Sequence, residues 1–266
     1  MFSKFRNLFG AQESAPPAAI PPGERVYAIG DVHGRADLFE ALIEAIDADD
    51  ADRDPAETVI VLLGDLVDRG PDSAGVLTMA RGWANGRQVR ALMGNHEEMF
   101  LDAFDSEEVL RHFLRYGGRE TLLSYPIDPE TYSAASLAET QALMRDHIPQ
   151  EDIAFMRSME EMIAIGDYLF VHAGIRPDVP LAEQKAGDLR WIREPFITHR
   201  ASFGPVVVHG HTIYEKPQLA ANRIGIDTGA YRSGRLTALG LEGTNRWLIE
   251  VSETDGTIQV SQRSVA

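Results

Sequence analysis

The chain has 266 residues, 41 of them acidic against 25 Lys and Arg, for a formal net charge of −16. That balance excludes a general nucleic-acid role, because phosphate backbones demand clustered cations. The lack of cysteine excludes disulfides and thiolate metal sites, leaving any metal to carboxylate, amide and imidazole groups.

No apolar run approaches the roughly 20 residues of a membrane span, and the N-terminus lacks the uninterrupted apolar stretch of a signal peptide. Cytoplasmic is the default expectation. Met1–Gly10 carries Phe2, Phe5, Leu8 and Phe9 with Lys4 and Arg6, the pattern of one amphipathic turn. Ala11–Gly23, with four prolines, reads as a tether. Residues 1–23 are therefore expected to be a flexible tail, with a weak membrane-surface or partner contact as the alternative, and residues 24–266 one domain.

Arg25–Ile29 is a first strand ending in Gly30-Asp31-Val32-His33-Gly34, and Leu38, Leu42, Ile43 and Ile46 recur at helical spacing behind it. Asp50, Asp52 and Asp54 fit the first ligand positions of a calcium loop, but Pro55 replaces the required glycine and Val61 the closing Glu, so no calcium site is expected. The apolar run Thr58–Leu63 reads as a strand buried on both faces and ends in Gly64-Asp65-Leu66-Val67-Asp68-Arg69-Gly70. A helix near Ser73–Ala84 follows, then a strand through Val89–Met93 that ends in Gly94-Asn95-His96-Glu97. Alternating strands and helices imply an α/β architecture.

From Glu97 to about Ile163 the texture is helical, broken at Gly117-Gly118 and Pro126/Pro129. This stretch holds fifteen acidic residues against five Arg, a net of −10 out of the chain's −16. A solvated helical surface is the first reading; because it leaves from the Asn95-His96 loop, some of its carboxylates are expected beside the mouth of any site there. Strands resume at Tyr168–Val171, ending in His172-Ala173-Gly174, at Val206–Val208, ending in His209-Gly210-His211, and at Arg223–Ile226, ending in Asp227-Thr228-Gly229. Leu236–Leu241, Trp247–Val251 and Thr257–Val260 alternate like a closing antiparallel meander.

A single Asp-x-His is weak evidence, but five apolar strands end in loops carrying Asp31/His33, Asp65/Asp68/Arg69, Asn95/His96, His172 and His209/His211. Strand C-termini are where open α/β sheets bind ligands. Oxygen donors and imidazoles converging there need a cation to compensate their charge. The ligands outnumber what one ion takes, so two are expected; paired metals about 3.5–4 Å apart form the standard clamp for phosphoester hydrolysis.

The ordered blocks Gly30–Gly34, Gly64–Gly70 and Gly94–Glu97, with His172-Ala173, Gly210-His211-Thr212, Trp191-Ile192-Arg193-Glu194 and Ile226–Ala230, resemble the phosphoprotein phosphatase family of binuclear metallophosphoesterases, in particular its bacterial and phage members. The resemblance covers about Arg25 to Leu241. It implies a calcineurin-like fold: a central β-sandwich of mixed sheets flanked by helices, with a helical insertion around 97–163. It puts Asp31, His33 and Asp65 on a first metal, and Asp65, Asn95, His172 and His211 on a second. Manganese is the implied ion, and the ligand set would also accept iron, zinc or magnesium. Ile213 stands where related nuclease-type members place another histidine, which argues against that branch. His209 reads as a residue packing behind the site, and His112, His147 and His199 as surface or structural residues.

The implied chemistry is direct attack on phosphorus by a hydroxide held between two cations. Arg69 and Arg193 would grip phosphate oxygens, His96 would protonate the leaving alkoxide, and Asp68 would orient it. The leading expectation is a phosphatase acting on phosphoserine or phosphothreonine in proteins. The alternatives are a symmetrical dinucleoside tetraphosphate hydrolase and a non-catalytic phosphate-binding scaffold. In the tetraphosphate hydrolases the second block often carries Ala at the place of Asp68 and the third often ends in Asp at the place of Glu97, which favours the protein phosphatase.

Overall fold

The computed structural model describes residues 17–265. The expected amphipathic turn over Met1–Gly10 and the start of the tether lie outside them. The fold begins earlier than Glu24. Ile20 is buried at 2% exposure among the sheet residues, and its N–H donates to the Gly243 carbonyl. Ala19 and Asp167 exchange two hydrogen bonds at 2.9 and 3.0 Å. Prolines restrict the chain here, but one isoleucine with an apolar seat is enough to dock it, burial of such a side chain being worth about 1.5–3 kcal/mol.

Two mixed sheets pack face to face. The first has the order β11-β10-β9-β1-β2-β3, with β1 (Glu24–Ile29), β2 (Glu57–Leu62) and β3 (Gln88–Ala91) parallel, and β9 (Arg235–Glu242), β10 (Asn245–Thr254) and β11 (Thr257–Val265) as the antiparallel meander. The second has the order β4-β5-β6-β8-β7. Its β5 (Tyr168–Val171), β6 (Val206–His209) and β8 (Arg223–Gly225) are parallel, with β4 (Met162–Ile165) and β7 (Gln218–Leu219) antiparallel at the edges. Strand β4 starts inside the stretch expected to be helical.

Period-two alternation divides each central strand between two cores. Val59 and Val61 of β2 face Phe170, Val208 and Ile224 of the other sheet, whereas Ile60 and Leu62 face the helices. Helices α1 (Ala36–Ala51) and α2 (Ser73–Ala84) cover that outer face. The acid-rich end of α1 is consumed by ion pairs, Asp50 with Arg25 and Arg87 and Asp49 with Arg53, at 2.6–2.8 Å.

The insertion is six helices: α3 (Asn95–Ala103), α4 (Glu107–Phe113), α5 (Arg119–Ser124), α6 (Pro129–Ala134), α7 (Leu137–His147) and α8 (Gln150–Arg157). The short helices α9 (Ala186–Trp191) and α10 (Ala230–Ser233) complete the fold. Because three parallel strands of each sheet end on the same side, their C-terminal loops meet along one edge. There Gly210 N–H donates to the His172 carbonyl, and Val32 and His33 N–H to that of Asp65. No helix among the described residues is long and apolar enough to cross a membrane.

Candidate active site

The loop after β2 is held by its backbone. Asp65, Asp68 and Arg69 all have positive φ (50°, 74° and 70°), as do His33 and His211 at 47° and 60°. Non-glycine residues enter that region at a cost of about 1–3 kcal/mol each, and only where their surroundings impose it. Glu97 is one imposing group: fully buried, it accepts the N–H groups of Asp65, Leu66, Val67 and Gly94 at 2.7–3.3 Å. Burial pushes its carboxyl up to about 7. The insertion supplies the rest. Arg69 N–H donates to the Gly117 carbonyl, and Asp68 N–H to the hydroxyls of Thr121 and Ser73. Gly117, at φ 113°, leaves no room for a side chain, since a Cβ would stand 2.6 Å from the Arg69 nitrogen. Likewise a Cβ on Gly64 would lie 2.8 Å from the Gly94 nitrogen, so the β2 and β3 loops touch through their glycines.

Asp65 stands at the centre. Its carboxylate is 3.6 Å from His33 Nε2, 4.0 Å from His96 Nε2 and 3.4 Å from His172 Nε2. Burial opposes its ionisation, but the surrounding imidazoles outweigh that and hold it well below the usual carboxylate range. His33 and His172 each donate Nδ1–H to a backbone carbonyl, of Val67 at 2.8 Å and Leu63 at 2.7 Å, which turns both Nε2 atoms inward. The Asn95 amide oxygen lies 3.0 Å from His172 Nε2 and 2.8 Å from His211 Nδ1. Asp31 takes the His211 N–H on both oxygens and is pushed well above its ordinary value by burial and by the Asp227 carboxylate.

This donor set fits two divalent cations. His33, Asp65 and His96 form one group with ligand atoms within 4.8 Å of one another, and Asp65, His172 and His211 form another; the carboxylate common to both is Asp65. His211 Nε2 is buried without a hydrogen-bond partner among the described residues. Buried carboxylates and imidazoles at this density require positive charge to be stable. The first group contains His96 where the resemblance implied Asp31, whose oxygens are turned toward the Gly210-His211 backbone.

His96 has a second attachment: its Nδ1–H donates to Asp68 Oδ2 at 2.6 Å, and the other oxygen of Asp68 accepts from Thr121 at 2.6 Å. Burial disfavours a charged His96, yet the carboxylates of Asp65 and Asp68 more than offset it, so its pKa is raised. Arg69 spans the site, with Nη1 3.0 Å from His33 Nε2 and Nη2 2.8 Å from His96 Nε2. Asp65, Arg69, Asn95, His96 and His211 open into a cavity of about 510 Å³. Its walls include Arg193, Trp191, Tyr116, Tyr231 and Arg232.

The comparisons with known proteins agree with this geometry. The profile of the calcineurin-like phosphoesterase family matches residues 24–234. The chain belongs to that family. It is 32% identical to serine/threonine-protein phosphatase 1 of Salmonella typhimurium over 218 residues, 80% of this chain and 89% of the relative. It is also 34% identical to the symmetrical bis(5'-nucleosyl)-tetraphosphatase of an Acidovorax strain, over 57% of this chain and 44% of that relative, so this chain spans less than half of that protein. Among solved structures, a cold-active protein-tyrosine phosphatase of a psychrophilic Shewanella superposes with a TM-score of 0.55 at 22% identity, over 91% of this chain and 83% of that one. At that identity the likeness concerns the fold. The calcineurin-like fold, a hydrolytic phosphoesterase activity and dependence on divalent metal follow from membership.

Several residues at the site have roles that the sequence did not signal. Glu97 counts among the fifteen acids of the insertion, yet it is fully buried and organises the neighbouring loop. Thr121 and Gly117 lie outside every family block. His112, expected to be a surface or structural residue, is exposed, and it also lines the cavity, 4.5 Å from the Tyr116 ring. His209 is fully buried against Phe196, and burial pulls its pKa down to about 4. His199 lies against Phe203, away from the cavity. No carboxylate of 97–163 lines the cavity itself, but three of them line a groove that shares Met99, His112 and Trp191 with it, beside its mouth. Glu98 is held by Arg190 and Trp191, and Asp102 and Glu108 are the other two.

Proposed function

We propose that the chain hydrolyses phosphoserine and phosphothreonine in proteins. The observation that carries this reading is the Asp68–His96 pair, bonded at 2.6 Å, with His96 on the cavity wall and its Nε2 4.0 Å from the Asp65 carboxylate that both candidate metal-binding groups share. In hydrolysis of a phosphomonoester, water attacks phosphorus as the P–O bond to the alcohol breaks, and the departing oxygen needs a proton. His96, with Nδ1 fixed on Asp68, would deliver that proton from Nε2. Asp68 holds the ring in orientation and favours its charged form. Arg69, with Arg193 on the opposite wall, would bind the non-bridging phosphate oxygens.

Two divalent cations, with manganese proposed, would supply Lewis acidity and an activated water. The residues that would hold them are Asp31, His33 and Asp65 on one side, and Asp65, Asn95, His172 and His211 on the other. The extent of similarity to a serine/threonine phosphatase, most of both chains, supports the substrate assignment.

A second reading, symmetrical hydrolysis of dinucleoside tetraphosphates, is favoured by the relatives of that name and by the aromatic and arginine-lined cavity wall. The deciding experiment is turnover of phosphopeptides, free nucleotides and diadenosine tetraphosphate by the manganese-loaded protein. Faster turnover of phosphopeptides is expected. Faster turnover of diadenosine tetraphosphate than of every phosphopeptide would replace the first reading with the second.

A further inference from the structure

The arginines divide between those paired with carboxylates and those, such as Arg111, Arg115 and Arg157, with no ion pair among the described residues. Arg25, Arg35, Arg53, Arg87, Arg90, Arg176 and Arg190 all contact carboxylates. The three that line the catalytic cavity, Arg69, Arg193 and Arg232, form no ion pair among the described residues. Arg69 lies against His33 and His96 and is the one proposed to reach the reacting phosphate. Arg193 and Arg232 are both exposed and carry no side-chain hydrogen bond to any described residue.

Arg232 follows Tyr231 on α10, and its stem passes over Gly229, where a Cβ would lie 3.4 Å from its Nε. Tyr231 in turn packs between the His33 ring at 5.4 Å and the Arg69 guanidinium at 4.8 Å, tying α10 to the metal-binding loops. Among the described residues, the single carboxylate on the cavity wall is Asp65, itself a proposed metal ligand. Both aromatic side chains that are large and exposed among the described residues, Tyr116 at 44% and Trp191 at 39%, stand on the same wall.

With Arg69 and Arg193 proposed to grip the reacting phosphate, Arg232 is the cavity guanidinium left over. A guanidinium on a cavity wall with no partner among the described residues is available to a ligand. We propose that Arg232 forms a second anion subsite, so that the enzyme prefers substrates carrying another negatively charged group next to the reacting phosphate. This rests on the reading of the cavity as a phosphoesterase site. The second anion has two sources of the same chemistry: an acidic or phosphorylated neighbour in a peptide, or the next phosphoryl group of a polyphosphate.

Binding is measured by calorimetry on the manganese-loaded protein, with methylphosphonate and methylenediphosphonate as non-hydrolysable probes. The wild type is expected to bind the diphosphonate about tenfold or more tightly than the monophosphonate, the scale of one charge-assisted hydrogen bond. Arg232→Met should reduce that ratio at least fivefold, and Arg232→Lys should restore part of it. An unchanged ratio in Arg232→Met overturns the subsite, as does a wild type that does not distinguish the probes. These readouts need no turnover, so an enzyme inactive on phosphopeptides with an intact ratio would sink the proposed function and leave the subsite standing.

Turnover then assigns the source. The kcat/KM of Arg232→Met is compared on p-nitrophenyl phosphate, on a phosphoserine peptide with Asp flanks and on diadenosine tetraphosphate. Whichever of the last two falls further than p-nitrophenyl phosphate carries the second anion. Equal losses on all three overturn the subsite.

Discussion

The strand-end loops and the helical insertion are both rich in carboxylates, and they use them in opposite ways. In the loops, Asp31, Asp65, Asp68 and Asp227 are at most 2% exposed, and each is met by a backbone N–H, an imidazole or a hydroxyl. In the insertion, Asp102, Asp105, Glu107 and Glu108 face solvent. A carboxylate kept from water interacts strongly with whatever lies beside it, whereas one in water is screened within about 10 Å at 0.1 M salt. Chemistry follows the backbone's ability to hold charge in a dry place, and charge count alone does not locate it.

The largest effect that would test this contrast is at its centre. Asp65→Asn should abolish turnover and weaken both metals, measured by rate alongside elemental analysis; two metals retained at near-normal rate would remove Asp65 from the shared position. His96→Asn should keep its metals yet slow turnover by about 10²–10⁴-fold, the usual cost of a lost general acid. That loss should shrink on p-nitrophenyl phosphate, whose leaving group needs less protonation. Equal losses on alkyl and aryl phosphates would give His96 a positioning role instead.

Thr121→Val crosses the boundary between the two regions, since Thr121 belongs to the insertion but donates to Asp68. Leaving that buried oxygen unmet costs about 1–3 kcal/mol. Thermal unfolding should report the cost, and kcat should fall about tenfold with KM little changed; a variant with wild-type kcat would make Thr121 purely structural. The smallest effect is expected for Asp102→Asn with Glu108→Gln. Exposed substitutions usually shift stability within about 0.5 kcal/mol, and kcat/KM on basic-flanked phosphopeptides should change less than about threefold, with the remainder removed by salt. A larger, salt-resistant change would mean the neighbouring groove takes part in substrate binding.

The sequence by itself determined the order of strands and helices, because apolar runs and their glycine-bounded ends are local features. Helix α2 spans Ser73–Ala84 as its pattern predicts. The same locality made Asp31, His33, Asp65, Asn95, His96, His172 and His211 legible as candidates, since each directly follows a buried strand. Tertiary structure alone decided which of these face one another. Two sheets had to stack with their parallel strands ending at one edge before Asp65 could lie 3.4 Å from His172, which is more than a hundred residues away. It also separated Glu97 from the acids around it. Sequence counts a carboxylate the same way whether it meets water or four backbone N–H groups, and only the packing of the β2 and β3 loops through Gly64 and Gly94 encloses this one. Gly117, Thr121 and Arg232 stayed invisible for the same reason: their contribution is a distance to residues remote in the chain, and no local pattern encodes it.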